Sequence, residues 1–165
     1  MQDSFKLGHN RFSDWTSEEY SATFRQKTPD LIQARDLSGS LSLEFDHFTP
    51  ERLNDTPSSV NWVDEGAVTE VKDQGSCTAG WAFATAGSLE GADFIASSDL
   101  KSLSAQQLID CDSLFNLGCQ GGLPLYSFRY YESNKAILDS DYPWESGLSG
   151  EKGSCQYSDM TKTDL

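Results

Sequence analysis

An α-dominated fold is what this sequence specifies, and three features specify it. Residues 81–97 carry apolar side chains on most helical faces, as a buried central helix does. Two Ser/Thr-x-x-Glu/Gln boxes mark helix starts at Thr16 and Ser104. No stretch alternates strand with helix, so a parallel sheet is not expected. At 165 residues the chain is long enough for one domain with a real core. Aromatic content of 12% argues against disorder, although mean hydropathy is −0.51.

The elements follow in chain order. Residues 1–27 read as a short polar segment with one helix, opened by the capping box of Thr16 and Glu19. Residues 28–59 read as loop, because Pro29, Gly39, Pro50 and Pro57 interrupt a Ser/Asp-rich tract. Its one strand-like piece is Leu41-Ser42-Leu43-Glu44-Phe45, which alternates with period two. From Val60 the composition becomes globular. The helix from Trp81 to Ser97 places Ala82, Phe83, Ala86, Leu89, Phe94 and Ile95 around its circumference. A second helix starts at the box Ser104-Ala105-Gln106-Gln107 and runs into Leu108-Ile109. A third is expected over Leu125–Asn134, and the tail from Asp139 is rich in turn residues.

Charge and cysteines exclude several function classes. The net charge is −14; residues 1–56 carry 6 basic and 10 acidic side chains, and residues 57–165 carry 6 and 16. A phosphate backbone is repelled by such a surface, so nucleic acid is not an expected partner. No run of 18 apolar residues exists, so no membrane span is expected. The N-terminus lacks a basic start followed by an apolar stretch, so no signal peptide is read there. Cys77, Cys111, Cys119 and Cys155 form no C-x-x-C or C-x-x-H pair, so neither a metal site nor a cofactor is expected. Four cysteines with no remainder fit two disulfides and an oxidising compartment (lysosome, vacuole or extracellular space), in any of three connectivities. Disulfides without an export signal suggest a chain that is part of a longer one.

Five motifs stand in order along the chain. They are Gly8-x-Asn10-x-Phe12-x-Asp14, Gln74-Gly75-Ser76-Cys77-Thr78-Ala79-Gly80-Trp81-Ala82-Phe83, Ser102-Leu103-Ser104-Ala105-Gln106-Gln107-Leu108-Ile109-Asp110-Cys111, Asn116-Leu117-Gly118-Cys119-Gln120-Gly121-Gly122, and Asp141-Tyr142-Pro143-Trp144. Together with Ser59-Val60-Asn61-Trp62 they resemble the papain-like (cathepsin-type) cysteine proteases and part of their inhibitory propeptide. The resemblance implies the α+β papain-like fold, of which this chain would be the α-dominated left half. Residues 1–56 would be a partial propeptide-like segment with its linker and 57–165 the left domain, with the right domain missing.

What the resemblance implies for chemistry is decided at one position. The family carries its nucleophile as the second cysteine of Q-G-S-C-x-x-C-W-A-F, and here Gly80 stands in that place. Glycine supplies no thiolate, whereas the reaction needs one at a helix N-terminus, where the dipole lowers the thiol pKa. Gln74, the family's oxyanion donor, is retained. Gly121 and Gly122 would form the edge that pairs with an extended peptide, with Leu123 and Pro124 lining the adjoining pocket; an ordinary tight turn with core residues is the alternative. The resemblance pairs Cys77 with Cys119 and Cys111 with Cys155, leaving no free thiol, so Cys77 is expected to be a half-cystine rather than a nucleophile. The two histidines, His9 and His47, both precede Gly80 and are expected to face solvent. The family's His and Asn lie about 130–150 residues beyond the nucleophile, past the end of this chain.

Three functions are then open. The chain is a catalytically inactive papain-like homologue used as a structural or binding module in a larger assembly. Alternatively it is the N-terminal part of a cysteine endopeptidase zymogen whose nucleophile has been substituted. Thirdly, the propeptide-like segment is itself an inhibitor. Thr78, Ala79 and Ala84 depart from the family pattern around Gly80, which favours drift over a single replacement. The expected partner is another protein surface, basic or apolar, or the chain's own missing C-terminal half.

Overall fold

The computed structural model describes residues 7–24 and 57–164. Its centre is the 18-residue helix Gly80–Ser97. We label the helices α1 (Ser17–Phe24), α2 (Gly80–Ser97), α3 (Ala105–Cys111), α4 (Pro124–Tyr131) and α5 (Ser146–Ser149). Single 3₁₀ turns cover Gly118–Gln120 and Tyr157–Asp159. Among the described residues, β pairing is confined to two isolated antiparallel bridges, Leu103 with Leu138 and Ala136 with Thr163. The strand-like piece 41–45 and His47 lie outside the described residues.

α2 packs against both α3 and α4. Trp81, Leu103, Leu108, Ile109 and Ile137 are fully buried between these elements. The helix ends where Ser98 adopts φ 60°, and the Ser98 N–H closes on the Phe94 carbonyl.

α1 starts with the complete reciprocal box. The Thr16 N–H donates to Glu19 Oε2 at 2.8 Å and the Glu19 N–H to Thr16 Oγ1 at 3.1 Å. At α3 only half of the expected box forms. The Gln107 N–H donates to Ser104 Oγ at 3.0 Å, but the Gln107 side chain turns away from the cap. Its amide donates to the Lys135 carbonyl at 2.9 Å and accepts from the Ile137 N–H at 2.9 Å, while the Ser104 N–H donates to the Ile137 carbonyl. The loop beside α3 therefore satisfies the donor that a capping glutamine otherwise takes. The third helix also differs from expectation, starting at Pro124 and stopping at Tyr131. Proline at N1 is favoured because its missing N–H has no helical partner there. Asn134 sits beyond the helix and its side-chain amide donates to the Tyr130 carbonyl at 2.8 Å.

The N-terminal segment lies against the end of α2 that begins at Gly80. Arg11 forms a two-point ion pair with Asp73, at 2.8 and 3.0 Å. Thr78 Oγ1 meets the Thr23 carbonyl at 3.5 Å. Phe12 is the hub of the segment's own packing, with edge-to-face contacts to Trp15, Tyr20 and Phe24 at 5.3–5.6 Å between centroids. Asn10 Oδ1 accepts from the Phe12 N–H at 2.9 Å and sets the turn before it. Gly8, His9 and Asp14 are exposed.

Candidate peptide groove and nucleophile position

The loop leading into α2 is held from three directions. Gly75 takes φ +62°, and its N–H donates to Asp73 Oδ1 at 2.9 Å. A Cβ there would sit 2.3 Å from the Gly147 carbonyl oxygen, so only glycine allows this approach. The Ser76 N–H donates to that same carbonyl at 2.8 Å. Cys77 is disulfide-bonded to Cys119, and the Thr78 N–H donates to the Cys119 carbonyl at 3.1 Å. Cys77 is wholly buried, and none of the four cysteines is free.

These constraints deliver Gly80, exposed, as the first residue of α2. A Cβ built on Gly80 would have Gln74 Oε1 as its nearest neighbour, 3.8 Å away. Gly80 is not among the glycines with positive φ, so a side chain would fit there without backbone strain. The position is therefore a helix N-terminus beside a half-buried glutamine, with room for a side chain it does not carry.

The run Gly121-Gly122-Leu123-Pro124 follows the 3₁₀ turn that holds Cys119. Gly118–Gln120 anchors it: the Trp81 indole N–H donates to the Gly118 carbonyl at 3.2 Å, and the Cys77–Cys119 bond ties it to the loop before α2. Gly121 has φ 122°, a conformation suited to glycine. A Cβ on Gly122 would lie 2.5 Å from Asn116 Oδ1 and 2.7 Å from Trp81 Cδ2. Leu123 and Pro124 are half-buried at the start of α4.

A cavity of about 360 Å³ adjoins Gly80, lined chiefly by Val68, Val71, Lys72, Gln74, Phe83 and Glu90. Val68 is half exposed and Val71 completely so. Glu90 is buried within this wall, with Lys72 Nζ 3.1 Å from its carboxylate. Asp73 at the rim is held below the ordinary carboxylate range, first by the Arg11 hydrogen bonds and then by the Gly75 N–H. Asp112, behind the groove edge, is pushed upward by burial against the opposing effect of hydrogen bonds from Asn116 and Ser127.

The structure thus brings Gln74 and Gly80 together, and ties Gly121–Pro124 to them through one disulfide. Cys111 is bonded to Cys155 on the far side of α3. Of the segment that holds Gly8, Asn10, Phe12 and Asp14, Arg11 and Thr23 make the contacts described above to Asp73 and Thr78. Three contributors were not assigned roles from sequence: Asn116, the Arg11–Asp73 pair and the Gly75–Gly147 approach at α5. The first stood inside a quoted motif; the other two join residues 62 and 72 positions apart and leave no local pattern. Among the described residues, no group of three or more His, Cys, Asp or Glu side chains is placed to hold a metal ion. No helix there is long and apolar enough to cross a membrane.

Known proteins are similar to this chain over most of its length. Residues 56–164 match the family described as papain family cysteine protease. The chain is 43% identical over 144 residues to the probable cysteine protease RD21B of Arabidopsis thaliana, covering 87% of this chain and 29% of that protein. It is 39% identical over 154 residues to the cysteine protease XCP2 of the same plant, covering 93% and 41%. Among solved structures, the proform of the ragweed pollen cysteine protease Amb a 11 aligns with TM-score 0.74 and 32% identity, over 99% of this chain and 50% of that one. The recombinant stem bromelain precursor aligns with TM-score 0.75 and 30% identity, over 98% and 48%. The chain spans less than half the length of these curated relatives and about half of these solved chains.

Proposed function

The chain belongs to the papain family of cysteine proteases, in the α-dominated left half of that fold, and on this premise we propose that it is a catalytically inactive member that keeps a peptide groove as a binding or structural module. One observation carries the proposal: the residue at the N-terminus of α2, beside Gln74, is glycine. Acyl transfer by this family's chemistry begins with a thiolate attacking the peptide carbonyl. At position 80 there is no sulfur, and the nearest cysteine, Cys77, is consumed in a buried disulfide. What persists is the oxyanion side of the site, Gln74, and the run Gly121–Pro124. Oxyanion stabilisation and binding without nucleophile and base leave only a small residue of a comparable triad's catalysis.

Residues 1–56 serve, in this proposal, as a propeptide-like cover and 57–165 as the left domain. The Arg11–Asp73 pair and the match along nearly the whole chain to two protease precursors support that division. The two disulfides suit an oxidising compartment; lysosome, vacuole or extracellular space are its candidates. The apolar rim at Val68 and Val71 would meet a protein partner of apolar or basic surface, since the chain carries −14.

The alternative is the N-terminal part of a cysteine endopeptidase zymogen with a substituted nucleophile. The full-length native protein, freed of its N-terminal segment, separates the two. Incubated with a labelled peptide mixture, it should bind peptide without cleaving it. Cleavage that a thiol-directed epoxide abolishes would establish the endopeptidase instead.

A further inference from the structure

The groove edge is aimed by a side chain that lies outside the groove. Asn116 is 3% exposed and all its polar atoms are engaged. Its Oδ1 accepts from the Leu123 N–H at 2.8 Å. Its Nδ2 donates to Asp112 Oδ2 at 2.6 Å and to Ser127 Oγ at 3.2 Å. One residue on, the Leu117 N–H takes the Gly121 carbonyl at 2.9 Å.

Peptide planarity turns these inward bonds into an outward direction. In a trans peptide the C=O and the following N–H point opposite ways. The Gly121 carbonyl faces Leu117, so the Gly122 N–H is directed away from it. The Leu123 N–H faces Asn116, so the Gly122 carbonyl is directed away as well. Both backbone groups of Gly122 are thereby turned away from Leu117 and Asn116. Gly122 cannot drift back, because its Cα lies against Asn116 Oδ1 and Trp81 with no space for a Cβ.

We propose that Asn116 is the positioning residue of the peptide groove, and that Asp112 fixes which way its amide faces. A carboxylate is acceptor-only, so it can meet only the NH₂ end of the Asn116 amide. A flipped amide would set oxygen against carboxylate and NH₂ against the Leu123 N–H, losing both bonds. The carboxylate thus selects the one orientation that holds the 122–123 peptide plane. This inference rests on the groove being a binding site, which is the reading proposed above.

The test exchanges the two partners in the full-length protein. Asn116→Asp keeps an acceptor for Leu123 but opposes two carboxylates. Asn116→Leu removes the acceptor altogether. The double variant Asp112→Asn/Asn116→Asp restores one amide and one carboxylate with their places reversed, so that residue 116 accepts from both Leu123 and residue 112. Peptide affinity by fluorescence anisotropy should fall about tenfold in each single variant, the worth of about one hydrogen bond, and return to within about twofold in the double variant. Amide exchange at Leu123 should follow the same pattern, protected, unprotected, protected. A double variant that stays as weak as the singles, or single variants that bind and protect like the native protein, would overturn the assignment. If the native protein binds no peptide at all, the groove reading fails, and the exchange pattern at Leu123 alone decides whether Asn116 positions the edge.

Discussion

Glu90 offers the sharpest energetic test of how this half-fold is held together. It lies in α2 at 2% exposure, and three donors converge on its carboxylate: Thr69 Oγ1 at 2.8 Å, Lys72 Nζ at 3.1 Å and the Leu103 N–H at 2.8 Å. It therefore joins the strap 69–72, which walls the cavity beside Gly80, to the residues that precede α3. Glu90→Ala leaves the buried Leu103 N–H without an acceptor, which costs about 1–3 kcal/mol. It also strips Lys72 of its hydrogen-bonded counter-charge, leaving Ser102 Oγ at 2.8 Å and the charge of Asp139 beyond ion-pair distance. Removing one member of a buried pair costs about 3–5 kcal/mol, and the Lys72 side chain at 22% exposure places the sum near the lower end, about 3 kcal/mol. Glu90→Gln retains an oxygen for Leu103 and should cost about 2 kcal/mol. Lys72→Met leaves a carboxylate at 3% exposure with Thr69 and Leu103 as donors but no cation, and should cost about 3 kcal/mol as well. Urea unfolding followed by tryptophan fluorescence measures all three. A Glu90→Ala loss below about 1 kcal/mol, or equal losses for Ala and Gln, would refute the reasoning.

Further outcomes are open to measurement. Replacing Cys111 and Cys155 together by Ser opens a loop of 44 residues, for which the chain-entropy relation gives about 4 kcal/mol, and the urea midpoint should fall accordingly. Gly122→Ala should destabilise by about 1–3 kcal/mol through overpacking against Asn116 and Trp81, read in the same assay; an unchanged midpoint would mean the edge is looser than described. Asp73 has a folded pKa depressed below its unfolded value, so the Arg11 contact is present above the ordinary carboxylate value of about 3.9 and is lost only as pH falls through the lower folded value. The N-terminal segment should accordingly keep its amide-exchange protection from pH 7 to pH 5. Arg11→Ala should reduce that protection at both.

The helices were legible because their signals are local. The helix over 81–97 and the Thr16 box are each decided within a few residues and the structure reproduces both, but α2 is not buried all round: only Trp81, Ala82, Thr85, Ala86 and Glu90 are buried, and Ile95 is 62% exposed. The Ser104 box was half legible: its hydroxyl caps α3, but Gln107 answers to Lys135 and Ile137, which lie some 30 residues away. The start of α4 was missed by one residue because proline reads as a breaker in sequence, although at N1 it opens a helix. At the site, the substitution at position 80 could be read from the motif alone. The room beside it could not, since that depends on Gln74 folding back to within 3.8 Å of a Cβ. Nor could the Gly75–Gly147 interlock, which needs two backbone conformations to be known at once. Asn116 shows the limit most clearly, because its role follows from the direction of two peptide planes and a carboxylate four residues behind it.

Position 80 carries no thiol, although a side chain would fit there. Intact mass after treatment with a thiol-directed epoxide under native, non-reducing conditions tests this most directly, run on the full-length protein and on its Gly80→Cys variant. The native protein should show no adduct. The variant should gain one at residue 80, its thiolate favoured by the N-terminus of α2. An adduct on the native protein, or a variant whose new cysteine stays unmodified, would contradict the account.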